Sequence, residues 1–106
     1  MAITINIHYK GDKAIEFAKE MESSGLAALV RKEKGNLGYA YYLPLQGGKE
    51  VLLIDKWESQ QALDAHHHSP LMGKITSLRE KFDLHMEVER YKEERSPSSD
   101  EGYIRR

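Results

Sequence analysis

The chain has 106 residues, a formal net charge of −1, 40% hydrophobic residues and no cysteine. These values are typical of one globular domain and exclude disulfides and thiolate metal sites. Basic and acidic residues, 16 and 17 in number, are mixed along the chain, which argues against a nucleic-acid surface or a basic membrane patch. No apolar run approaches the length of a membrane span, and no signal peptide is visible, so the cytoplasm is the expected location.

The first half of the chain predicts a strand, a long helix and a second strand. Residues 3–9 alternate between apolar and polar side chains, which is the pattern of a half-buried strand. Asp12 is expected to cap a helix over about 13–33, in which Gly25 would allow a bend and a close approach to the sheet. The aromatic-rich residues 37–43 predict the second strand.

The second half repeats the order strand, helix, strand. A short connection joins the second strand to a third at 50–57, so these two form a hairpin. Ser59 is expected to cap a second helix, which Pro70 interrupts because proline cannot donate to the helical ladder. The helical pattern resumes at about 71–82, and alternation over 84–91 predicts a fourth strand.

The resulting β-α-β-β-α-β order predicts an α+β, ferredoxin-like fold, with a four-stranded antiparallel sheet and both helical segments on one face. The other, apolar face would be uncovered, and a second copy of the chain is its expected cover, which gives a homodimer. We expect a domain over residues 1–91. Residues 92–106 are charged and rich in serine, and we expect a tail that is flexible or docked on a partner subunit.

Two segments of the sequence resemble a known family. The residues concerned are Arg31, Glu33, Gly35 and Tyr39, followed by Asp55, Trp57, Ser59, Ala62, Leu63 and His66. In residue type and spacing they are similar to the antibiotic biosynthesis monooxygenase family. The resemblance implies a dimeric α/β barrel, a pocket between the sheet and the helices, and oxidation of a small electron-rich aromatic, quinol or polyketide-like, by dioxygen without a cofactor.

The candidate site follows from that chemistry. A phenol must lose a proton before dioxygen can take an electron from it, and a neutral imidazole is a suitable base, so His66 is the predicted catalytic base. Asn6 on the first strand would hydrogen-bond the developing anion. Trp57, with Tyr39 or Tyr41, would form flat walls for the aromatic ring.

Each assignment has a purely structural alternative. His66 can be a packed histidine, Trp57 a core anchor, and the tyrosines ordinary strand residues. Asn6 can face a subunit interface instead of a pocket. The matching alternative for function is a dimeric protein of the same fold that binds a small ligand, or serves in a stress response, without catalysis.

The three consecutive histidines His66, His67 and His68 also suggest a metal site. Successive helical residues point about 100° apart, so the three cannot hold one ion, and a site would need His8 or His85 from elsewhere in the fold. His67 and His68 are instead expected to face solvent or line the pocket mouth, where His67 would contact substrate. No metal is predicted, and heme is disfavoured because the related heme degraders have a histidine about ten residues after the His66 place, where this chain has Thr76.

Overall fold

The computed structural model describes residues 2–106, which form one antiparallel sheet of four strands with helices packed on one face. The strands are β1 (Ile3–Lys10), β2 (Asn36–Tyr42), β3 (Glu50–Trp57) and β4 (His85–Lys92); the helices are α1 (Ala14–Ser23), α2 (Leu26–Arg31), α3 (Gln60–His67) and α4 (Pro70–Lys81), and a 3₁₀ helix follows at Ser98–Tyr103. The strand order is β2-β3-β1-β4. This is the ferredoxin-like α+β fold that the sequence predicted. No helix in residues 2–106 is long and apolar enough to cross a membrane.

The core lies between the sheet and the helices. Alternation along β1 turns every second side chain from Ile3 to Tyr9 inward, and the same period on β3 buries Val51, Leu53, Asp55 and Trp57. The inward side chains of β1 pack with Phe17 of α1, whose ring centroid lies 4.8 Å from that of Tyr9. Burial of these apolar side chains is the main force that holds the helices on the sheet.

The first helical region differs from its prediction. Residues 13–33 are not one helix, because Gly25 adopts a left-handed conformation with φ of 84° and separates α1 from α2. A Cβ added to Gly25 would meet nothing within 4 Å, so this glycine provides a positive φ and not a close approach to the sheet. The apolar stripe continues across the break, since both short helices bury the same side.

Asp12 does not cap the first helix. The N-cap residue is Lys13, which makes no capping hydrogen bond with its side chain. Asp12 instead forms an exposed ion pair with Lys49, in which Nζ lies 2.8 Å from Oδ1. The prediction of an Asp12 cap was therefore wrong, because the helix begins at Ala14 and Asp12 lies one residue before the N-cap position.

The predicted cap of α3 is present. The Ser59 hydroxyl accepts a hydrogen bond from the Ala62 backbone N–H at 3.1 Å. We expect Ser59→Ala to lower the free energy of unfolding by about 1 kcal/mol, measured by urea denaturation at fixed protein concentration. Ser69 is a matched control, because it occupies the N-cap position of α4 without making a capping hydrogen bond. Equal losses in Ser59→Ala and Ser69→Ala would contradict this account.

The face of the sheet opposite the helices is mixed in character, and not the apolar surface that was predicted. Leu52 and Ile54 are half-buried there. His8 lies between two carboxylates, with Nδ1 2.9 Å from Glu50 and Nε2 2.6 Å from Glu89. The helix-free face therefore has an apolar centre beside a row of ion pairs.

β4 forms the edge of the sheet beside β1. The Glu93 backbone N–H donates to the Ala2 carbonyl at 3.0 Å, so pairing with β1 extends slightly past the strand. Beyond it, the 3₁₀ helix at Ser98–Tyr103 is exposed along its whole length. The tail thus has local structure, and its Tyr103 side chain is 92% exposed.

Candidate functional site

A cavity of about 270 Å³ lies between the sheet and helices α3 and α4. All four strands contribute to its walls. The apolar lining residues are Ile5, Ile7, Leu53, Leu63, Met72, Ile75, Met86 and Val88; the other residues are Tyr39, Asp55, His66, His67, Arg79 and Arg90. A mostly apolar chamber with a few convergent polar groups is the usual form of a small-molecule site, although this volume is just below the common range of about 300–1,000 Å³.

His66 is held in the cavity wall by two neighbours. Its Nδ1 lies 2.8 Å from Oε1 of Glu33, and only 4% of its side chain is exposed. One face of the imidazole stacks on the Trp57 indole, with ring centroids 4.8 Å apart and an angle of 27° between the planes. A carboxylate at Nδ1 favours the tautomer that has its hydrogen there, which leaves the Nε2 lone pair available as a base.

Gly35 brings Glu33 close to His66. It has φ of 85°, and its carbonyl accepts a hydrogen bond from the Glu58 backbone N–H at 2.9 Å. A Cβ added at Gly35 would lie 2.5 Å from the Cβ of Ala62 in α3. The absence of a side chain therefore lets the segment before β2 pack directly on the helix that carries His66.

Asp55 is the second titratable group of the cavity. It belongs to the inward side of β3, between Ile5 on β1 and Tyr39 on β2, and it is 4% exposed. Burial raises the pKa of the Asp55 carboxyl to about 6, against the opposing influence of the nearby His66 imidazole and Trp57 indole. Its Oδ1 is buried and has no hydrogen-bond partner among residues 2–106.

Arg79 of α4 adds a positive charge to the wall. Its Nε and Nη2 donate to the Tyr9 hydroxyl at 3.1 and 2.9 Å, and its guanidinium carbon lies 5.5 Å from the centre of the Tyr9 ring. These contacts fix the half-buried side chain at the edge of the core. Arg90 of β4 lines the exposed side of the cavity and contacts Gln60.

The cavity contains three of the residues predicted for the site: His66, His67 and Tyr39. Burial lowers the pKa of His67, so its imidazole favours the neutral form more than a free histidine does. The Tyr39 hydroxyl lies 3.1 Å from that of Tyr41, and burial raises the pKa of both phenols. These tyrosines stay protonated and are hydrogen-bonding groups.

The other three predicted residues do not line this cavity. Asn6 lies on the opposite face of the sheet, because side chains alternate along β1 and Ile5 and Ile7 point to the helices. Trp57 is completely buried behind His66, and Tyr41 packs edge-on against Phe17 with centroids 6.2 Å apart. In this structure Asn6 therefore shares no cavity with His66, and Trp57 and Tyr41 form no part of the cavity wall.

Three cavity or supporting residues were not predicted as functional: Glu33, Asp55 and Arg79. Glu33 and Asp55 belong to the motif that resembles the family, but were given no role there. The alternation of β3 already contained the signal for Asp55, since it places an acidic residue between the inward-facing Leu53 and Trp57. Arg79 falls on the buried stripe of α4, where a charged side chain is unusual.

The histidine triplet separates into three environments. His66 is buried, His67 lines the cavity, and His68 bonds the Asp64 carbonyl through Nδ1 at 2.7 Å. Within the part of the chain that the structure describes, no group of three or more histidine, aspartate or glutamate side chains could hold a metal ion.

The family model for antibiotic biosynthesis monooxygenases matches residues 1–77. The chain belongs to this family. Among solved structures, a conserved protein from Methanosarcina mazei Go1 is 25% identical, with a TM-score of 0.74, over 89% of this chain and 94% of that one. No curated protein matches the chain.

Two further structures share the fold of this family member at lower identity. SnoaB from Streptomyces nogalater, a cofactor-independent oxygenase, has a TM-score of 0.76 at 10% identity, over 92% of this chain and 97% of that one. PA3566 from Pseudomonas aeruginosa has a TM-score of 0.73 at 20% identity, over 89% of this chain and 95% of that one. At these identities the likeness concerns the fold alone.

Proposed function

We propose that this family member is a cofactor-independent monooxygenase that oxidises a small hydroxyaromatic compound with dioxygen. The observation that carries the proposal is the Glu33–His66 pair, a carboxylate-oriented imidazole in the wall of a largely apolar cavity. Membership of the family supports the reaction class. The fold shared with SnoaB supports a reaction that needs no cofactor.

In the proposed mechanism, Nε2 of His66 accepts the proton of the substrate hydroxyl. Glu33 stabilises the imidazolium that forms, and the phenolate becomes a better electron donor to dioxygen. For a phenol oxidised at a ring C–H, the balance is phenol plus O₂ to quinone plus water. One oxygen atom enters the ring and the other leaves as water. The substrate supplies all four electrons that dioxygen takes up, so no external reductant is required.

Oxygen consumption with a panel of hydroquinones and naphthols tests this function. We expect turnover by the wild type without added metal or cofactor, and a loss of at least about 100-fold in kcat/KM for His66→Ala. Glu33→Gln keeps the shape of the pair and should lose about 10- to 100-fold, because a neutral amide orients and stabilises the imidazolium less well.

His68→Ala is the matched control, since His68 is exposed and bonds only a carbonyl of its own helix. Its kcat/KM should stay within about two-fold of wild type. Circular dichroism confirms that each variant is folded. No oxygen uptake with any compound, or undiminished uptake by folded His66→Ala, would rule out the proposed mechanism.

One observation favours the alternative of ligand binding without catalysis. Of the three aromatic side chains expected as walls, only Tyr39 reaches the cavity, so the site has fewer flat surfaces than a dedicated aromatic pocket. This alternative predicts saturable ligand binding with no oxygen uptake. The oxygen measurement therefore separates the two functions directly.

We also propose that the helix-free face is covered by a second copy of the chain. Half-buried Leu52 and Ile54 and exposed Tyr42 and Tyr91 support an occluded surface there. In this proposal residues 1–91 form the domain, and the charged tail 92–106 lies outside it or against the partner. Light scattering would distinguish a dimer from a monomer.

A further inference from the structure

The proposed mechanism uses His66 and leaves the most unusual group of the cavity without a role. Only 4% of Asp55 is exposed, and the cavity wall around it is mostly apolar. Its Oδ1 has no hydrogen-bond partner among the described residues. A buried polar atom without a partner is rare in native proteins, because it has lost its hydrogen bonds to water and gained none in exchange. Because Asp55 also lines the cavity, its carboxylate is an acceptor there with hydrogen-bonding capacity left for a ligand.

No neighbouring residue among those described forms a hydrogen bond with the Asp55 Oδ1. Neither of the strand neighbours of Asp55 in register, Ile5 and Tyr39, makes a hydrogen bond with this oxygen, and the Tyr39 hydroxyl lies beside that of Tyr41. The Arg79 guanidinium donates to Tyr9 through Nε and Nη2. The Trp57 Nε1, two residues along the same strand, is also buried without a partner, and it lies close enough to Asp55 to lower the pKa of that carboxyl.

We propose that Asp55 contacts the substrate, accepting a hydrogen bond from a donor group other than the one that His66 deprotonates. This inference rests on the proposed function only in taking the same cavity as the binding site. Because a carboxylate accepts several hydrogen bonds, an additional contact with Trp57 would not saturate it. Asp55 therefore determines specificity: it selects a ligand with two donor substituents and rejects an analogue that lacks the second.

The size of the cavity limits such a ligand. A volume of about 270 Å³ accommodates one or two fused rings more readily than a linear tetracycle. A dihydroxynaphthalene is thus a suitable probe, since it presents two hydroxyl groups on a bicyclic frame.

Anaerobic calorimetric titration with two probes tests the proposal. The probes are 1,4-dihydroxynaphthalene and 4-methoxy-1-naphthol, which differ in one donor. Wild type should bind the diol at least ten-fold more tightly than the methyl ether. Asp55→Leu should reduce this preference to two-fold or less, because the second hydroxyl has lost its acceptor. Asp55→Asn, which keeps an acceptor oxygen but no charge, should give an intermediate preference.

Should Asp55→Leu not fold, Asp55→Ala provides the same comparison. Equal preference in wild type and the folded variant would overturn the proposal and favour an internal pair of Asp55 with Trp57. Absence of any preference in wild type, including failure of both probes to bind, would also overturn it. Because no turnover is needed, a protein that shows the preference without oxygen uptake would disprove the oxygenase function and leave the Asp55 contact standing.

Discussion

Replacing Gly35 by alanine is expected to lower the free energy of unfolding by about 3–5 kcal/mol. Two costs add. A non-glycine residue at φ of 85° costs about 1–2 kcal/mol, and a new Cβ only 2.5 Å from the Cβ of Ala62 forces α3 away from the segment before β2. Urea denaturation at fixed protein concentration measures the loss.

Gly25 offers a matched control for this prediction. Its φ of 84° is nearly the same, but a Cβ there would meet nothing within 4 Å. Gly25→Ala should therefore show only the conformational cost, about 1–2 kcal/mol. If both variants lose the same stability, the close packing of Gly35 on α3 is not the cause.

The second mutation of a double-mutant cycle isolates the steric part. Ala62→Gly removes the methyl group that the new Cβ would strike, at a cost of about 1 kcal/mol in helix propensity. Gly35→Ala combined with Ala62→Gly should be more stable than the sum of the two single changes predicts, by about 2 kcal/mol. The same pair should restore the Glu33–His66 contact, since it restores the approach of the two segments.

The sequence predicted those parts of the fold that depend on neighbouring residues. The bounds of β3 follow from an apolar run that a turn precedes and Trp57 ends, and the cap of α3 follows from a serine three residues before its backbone partner. The break at Gly25 was missed because the apolar stripe continues through both short helices. The Asp12–Lys49 ion pair was missed because it joins a loop to a distant turn.

The site was predicted less completely, for two different reasons. The Glu33–His66 contact joins residues 33 positions apart, so no local periodicity can show it, and only the family resemblance named both residues. Asn6 and Asp55 are a different case, because the alternation of side chains along a strand is enough to show which face of the sheet each one is on. With Ile5 and Ile7 directed to the core, Asn6 must face away, and with Leu53 and Trp57 directed inward, Asp55 must join them.

Asp55→Asn is expected to stabilise the protein by about 2–3 kcal/mol at pH 7.5. The pKa of the buried carboxyl is raised from 3.8 to about 6, so above pH 6 the folded protein holds a charge that burial disfavours. A shift of about two pKa units corresponds to roughly 3 kcal/mol, and the amide needs partners of its own, which offsets part of the gain.

The stability difference between wild type and Asp55→Asn should depend on pH. Between pH 3.8 and about 6 the folded state keeps a proton that the unfolded chain has lost, so the contribution of Asp55 to stability falls as pH rises through this window. Thermal unfolding of wild type and Asp55→Asn should therefore converge near pH 4 and separate above pH 6, with the variant melting about 10 °C higher.

The stability gain and the ligand preference together test what the carboxylate does. If Asp55 serves only in packing, Asp55→Asn should be more stable and should select the two-donor ligand no less strongly than wild type. If Asp55 binds the ligand, Asp55→Asn should be more stable but select the two-donor ligand less strongly. If Asp55→Asn has the melting temperature of wild type at pH 4 and also at pH 7.5, the carboxyl is not charged and buried in the way described. The Oδ1 atom would then have a hydrogen-bond partner within the protein, and Asp55 would not select a ligand with a second donor.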